Sequence, residues 1–99
     1  MKTINCMIDI DNNKIVNMNL KKKFEHRGFN FAIVIEPEAN HKYYTLINFE
    51  NGGVLPMYQP TNQTIKDYHT KSLESIDNLI KRIGLDEFTA VLNKYPKIN

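Results

Sequence analysis

The chain has 99 residues, of which 41% are hydrophobic and 24% charged, with a formal net charge of +2. That length holds one core, so residues 1–99 are expected to form a single domain, and the apolar fraction excludes an intrinsically disordered chain. The small positive charge falls short of a dedicated nucleic-acid binder, and no apolar run approaches the roughly 20 residues of a membrane helix.

The first segment, "INCMIDI" at 4–10, alternates. Ile4, Cys6, Ile8 and Ile10 share one side and Asn5, Met7 and Asp9 the other, the period of a half-buried strand. "DNNK" supplies turn residues, and "IVNMNL" at 15–20 returns with Val16, Met18 and Leu20 on its apolar side, so a hairpin is expected. Lys21, Lys22 and Lys23 extend or end that strand, and Gly28 is free to take a positive φ before "FNFAIVIE" begins at 29. In this third strand Phe29, Phe31, Ile33 and Ile35 line one side while Ala32 and Val34 make the other apolar too, as in a central strand covered on both faces. "YYTLINFE" at 43–50 reads as a fourth strand. Asn51-Gly52 is a hairpin signal into a fifth, "GVLPMY" at 53–58, where Pro56 implies an edge or an irregular strand.

Beyond Pro60 the period changes. Ile65, Tyr68, Ser72, Ile76, Leu79 and Ile83, joined by Leu73 and Ile80, form a helical stripe, with Thr64, Thr70 and Ser72 as candidate N-caps and Gly84 at the C-terminal end. Leu85, Phe88, Val91 and Leu92 suggest a second, shorter helix capped by Asp86 and ended before Pro96. Strands followed by helices give an α+β fold: an antiparallel sheet of about five strands, with two or more hairpins, and two C-terminal helices packed on one face.

The stretch "RGFNF" at 27–31 resembles the aromatic signature of an RNA-recognition strand at Arg27, Gly28, Phe29 and Phe31, but Asn30, Ala32 and Val34 depart from it. Nothing helical precedes residue 27, so a turn glycine followed by a core strand accounts for the same letters. Lys21, Lys22, Lys23 and Arg27 gather at one hairpin end and are the candidate phosphate contacts; solvated edge lysines that discourage aggregation are the simpler reading.

Other chemistry finds little support. His26, His41 and His69 have no ligand spacing among themselves or with Cys6, so no metal is expected. Asp9, Asp11 and Asn13 start like a calcium loop, but Lys14 and Leu20 stand where glycine and the bidentate glutamate belong. Glu36 and Glu38 flank Pro37 in a loop, without a convergent base or nucleophile, and Cys6 among isoleucines reads as a small buried hydrophobe. No catalytic, metal or cofactor-binding residue is therefore assigned.

Cys6 is the only cysteine and the residues after Met1 hold no signal-peptide core, which points to a cytoplasmic protein without disulfides. Thirteen asparagines, eleven lysines and twelve isoleucines against three alanines is the bias of AT-rich codons, and suggests a low-GC bacterium or its phage or plasmid. The expected function is a small non-enzymatic binding or accessory protein, acting on a protein partner or as a homodimer. Because the helices can cover only one face of the sheet, Met7, Ala32 and Val34 are the expected partner face. The alternative is a nucleic-acid-binding module using the basic hairpin at 21–29.

Overall fold

The computed structural model of the chain describes residues 2–9, 11–12, 14–36, 44–55 and 64–99. Ile10, Asn13, Glu38, His41, Tyr43 and residues 56–63, with the side chains of Ile8 and Asp9, lie outside the described residues.

Four strands, β1 (Thr3–Asp9), β2 (Lys14–His26), β3 (Phe29–Ile35) and β4 (Thr45–Asn48), form an antiparallel meander in chain order. Two helices follow, α1 (Ile65–Ile83) and α2 (Leu85–Leu92), so the architecture is α+β. β2 runs 13 residues because the lysine run continues it through an irregularity between Leu20 and Lys22. It pairs with β1 through its first half and with β3 through its second. Arg27 and Gly28 make the turn to β3 with φ of 57° and 82°, the pair of left-handed residues that a two-residue I′ hairpin requires.

Of the expected fifth strand, residues 53 and 54 form two isolated bridges and 56–58 lie outside the described residues, so the described residues hold four strands rather than five. These bridges have a structural consequence. Val54 pairs antiparallel with Ile47 of β4, and Gly53 pairs parallel with Met7 of β1. The Met7 N–H donates to the Gly52 carbonyl at 2.8 Å, and the Asn48 N–H to the Gly53 carbonyl at 2.8 Å. Residues 52–54 thus join the two ends of the meander, and the ring of hydrogen-bonded neighbours is complete. The seam is extended by Asn99, whose side-chain amide pairs with the Asn5 backbone as another strand would. Its Oδ1 accepts the Asn5 N–H at 2.9 Å and its Nδ2 donates to the Asn5 carbonyl at 2.8 Å.

Closure explains why β3 is apolar on both sides. One side meets Ile4, Cys6, Met18 and Ile47 in a core enclosed by the curled sheet, to which β3 gives Ala32 and Val34. The other side gives Phe31 and Ile33 to a second core with Leu46, Tyr68, Ile76, Ile80, Phe88 and Leu92, beneath the helices. The expected partner face of Met7, Ala32 and Val34 is buried in the single chain. Ala32 and Val34 are 0% exposed and Met7 7% in the single chain, so they offer no surface to another molecule. Ala32 and Val34 pack with Ile4, Cys6, Met18 and Ile47 of the same sheet, which a reading limited to open sheets leaves out.

Helix α1 starts at Thr64, whose Oγ1 accepts the Asp67 N–H at 3.1 Å, and ends at Gly84, whose N–H donates to the Ile80 carbonyl at 2.7 Å. Tyr68, Ser72, Ile76 and Ile80 are its buried row, one turn apart. Ser72 fits there because its hydroxyl donates to the Tyr68 carbonyl at 2.8 Å. Gly84 also precedes α2, which has no side-chain cap; Asp86 and Glu87 sit in its first turn, where they favour the positive end of the helix dipole.

Candidate functional site

An apolar cleft of about 120 Å³ lies between residues 51–55, the end of α1, and α2 with Tyr95. Leu79 and Ile83 of α1, and Phe88, Val91 and Leu92 of α2, supply its walls, with Val54 and Leu55 opposite. Asn51 builds its floor. Buried at 4% exposure, it accepts the Gly53 N–H at its Oδ1 (2.8 Å), donates from Nδ2 to the Leu92 carbonyl (2.7 Å), and gives its own N–H to Asn48 Oδ1 (3.1 Å). The side-chain amide is thus spent on tying the turn after β4 to the end of α2, and little polar capacity remains for a polar ligand. The rim is apolar and open: Val54 is 50%, Ile83 36% and Val91 49% exposed, three of the five large hydrophobic residues that stand out from the surface among the described residues. Scattered apolar residues need no explanation, but three around one concavity mark a binding surface.

Ile83 and Val91 were legible only as members of helical stripes. Helix α2 has 8 residues and buries Phe88 and Leu92, one turn apart, so Val91 falls outside the buried row. Ile83 ends α1 just beyond its last buried residue, Ile80.

The basic hairpin is assembled differently from its sequence appearance. Lys21, Lys22 and Lys23 follow one another on β2, all exposed. The Nζ of Lys23 sits 4.0 Å above the Phe49 ring, a cation–π contact. Arg27 is bound to α1: its Nε donates to Asp77 Oδ1 at 2.9 Å, the same oxygen that His26 Nε2 meets at 2.7 Å. The His26 hydrogen bond, followed by that of Arg27, holds the Asp77 carboxyl below the usual carboxylate range. His69 stands edge-on to Phe24, with ring centroids 4.6 Å apart. Burial, and then the charges of Lys22 and His26, lower its pKa. Phe29 and Phe31 are no stacking platform, since both pack on Phe88 with centroids 5.3 and 6.4 Å away.

Cys6 is fully buried, and burial pushes its thiol up to about 11. Tyr68 is buried beside the Leu46 backbone, without a hydrogen-bond partner of good geometry for its hydroxyl among the described residues, and burial raises it to about 12. Among the described residues no three His, Cys, Asp or Glu side chains gather as a metal site, and no helix is long and apolar enough to cross a membrane. Comparison with protein-family models, with curated proteins and with solved structures returns no match to this chain.

Proposed function

We propose that this chain is a small non-enzymatic binding module that holds a partner protein by an apolar side chain seated in the cleft. The observation that carries this reading is the placement of Val54, Ile83 and Val91 around a concavity whose Asn51 floor is already bonded internally. A volume of about 120 Å³ suits one leucine-, methionine- or phenylalanine-sized group. Burying one such group is worth about 1.5–3 kcal/mol, or roughly ten- to 150-fold in affinity. The cleft is thus an anchor within a wider contact.

The nucleic-acid reading is weaker. Of the four cations it needs, Arg27 is engaged by Asp77, which leaves the three adjacent lysines, Lys23 with its Nζ over the Phe49 ring, to meet phosphates. Amide chemical shifts during titration with short peptides test the proposal, each peptide carrying one Leu, Met or Phe in a glycine-serine background. Shifts confined to Val54, Ile83, Val91 and Tyr95 are expected with the apolar peptides. Equal shifts with the glycine-serine peptide alone, or shifts at other residues, would defeat it.

A further inference from the structure

We propose that the outer edge of the second half of β2 is a docking strand for an acidic, extended segment of a partner protein. β1 covers this edge only as far as Leu20, whose N–H donates to the Lys2 carbonyl at 2.9 Å. β3 occupies the opposite edge up to His26. In a two-residue hairpin the pair flanking the turn, here His26 and Phe29, is hydrogen-bonded, and bonding alternates along the ladder from there. Phe24 and Lys22 therefore bond β3, while Glu25 and Lys23 aim their N–H and C=O groups away from it. Asn30 confirms the phase: opposite Glu25, it gives its carbonyl to the Phe49 N–H at 2.9 Å, on the far side of β3 from β2.

Among the described residues nothing accepts or donates at those outward groups of Lys23 and Glu25. Two rungs of a ladder stand ready, and the flanking side chains decide what can complete it. Lys21, Lys22 and Lys23 are exposed along the stretch, with Glu25 as its one acid. Two copies paired on this edge would set lysines beside lysines, and like charges across a ladder repel. The same lysines attract a strand that carries carboxylates, so the charge that excludes self-pairing selects the partner. Main-chain bonds would supply the contact and the lysines the specificity, in the manner of strand addition to a sheet edge. This surface shares no residue with the cleft.

The test uses the full chain and two labelled short peptides, one alternating valine with glutamate and the other valine with lysine, followed by fluorescence anisotropy at low and physiological salt. The acidic peptide should bind at least about tenfold more tightly than the basic one, weaken as salt rises, and protect the Lys23 and Glu25 amides from hydrogen exchange. The Lys21→Glu/Lys23→Glu double variant should lose about tenfold in affinity, and Lys97→Glu, the same charge change at an exposed position outside both surfaces, should lose nothing. If the double variant fails to fold, amide protection in the wild-type chain decides alone. No preference for the acidic peptide, binding without protection at Lys23 and Glu25, or an equal loss on Lys97→Glu would overturn the proposal. So would a single-stranded oligonucleotide that displaces the peptide and binds more tightly, which would assign the lysines to phosphate.

Discussion

Replacing Gly52 by alanine probes the seam through which the sheet closes. Gly52 has a φ of 71°, and its carbonyl takes the Met7 N–H at 2.8 Å. A Cβ at this position would lie 2.6 Å from the Asn5 carbonyl oxygen, 3.0 Å from the Cys6 Cα and 2.9 Å from the Ile98 Cδ1. The first two belong to the backbone of β1, so relief requires the strand itself to shift. Left-handed backbone costs a non-glycine residue about 1–2 kcal/mol. Forcing a carbon into an occupied site adds about 1–3 kcal/mol. Gly52→Ala should therefore lose about 2–5 kcal/mol, a large share of the roughly 5–15 kcal/mol that holds a domain of this kind. Gly28→Ala is the control. Its φ is 82°, but nothing lies within 4 Å of the added carbon, so only the conformational cost remains. Urea denaturation of both variants, with comparable slopes, gives the difference directly. A Gly52→Ala protein no less stable than Gly28→Ala would refute the closed sheet.

Three further outcomes follow from buried or titrating groups. Tyr68→Phe should leave stability unchanged or raise it by up to about 1 kcal/mol, because the hydroxyl it removes has no partner of good geometry among the described residues; a loss above about 1 kcal/mol in denaturant titration would contradict this. The folded-state pKa of His69 lies below its ordinary 6.5, so the unfolded chain takes up the proton first, and stability should decline as pH falls below 6.5 toward the folded value. His69→Gln should flatten that slope in thermal melts, and an unchanged slope would count against the assignment. Asp77, whose folded pKa is depressed below 3.8, adds stability that is present above that value and lost only at lower pH, so it does not contribute to the same window. Cys6 should resist thiol reagents until the chain unfolds, and Cys6→Ala should cost about 1–2 kcal/mol; rapid labelling under native conditions would place it elsewhere than in the enclosed core.

The elements that depend on local chemistry were readable in the sequence. Alternation placed Ile4 and Cys6 on one side of β1, the three- and four-residue spacing of Tyr68, Ser72, Ile76 and Ile80 drew the buried row of α1, and Gly84 marked its end, while its start stayed open among Thr64, Thr70 and Ser72 until the fold showed Thr64 as the cap. Closure was not readable. Asn51-Gly52 has the letters of an ordinary hairpin, and nothing local says that the Gly52 carbonyl will meet Met7 across the sheet. For the same reason Ala32 and Val34 fit equally well in an open interface or an enclosed core. The cleft was hidden by a similar ambiguity. Val91 is spelled like a core residue, and only the packing of Phe88 and Leu92 leaves it half exposed on the rim. Arg27 looked like a phosphate contact because Asp77, its partner in the fold, lies 50 residues away.

Site-specific photo-crosslinking in the cells that make this protein tests the central claim most directly. A benzophenone side chain would be placed at Val91, on the cleft rim, and separately at Asn17, an exposed position on the first half of β2. The proposed module predicts one discrete crosslinked partner protein from Val91 and none from Asn17, with the Val91 adduct abolished by Ile83→Glu on the same rim. Adducts from Asn17 without any from Val91, or a Val91 adduct indifferent to Ile83→Glu, would contradict it.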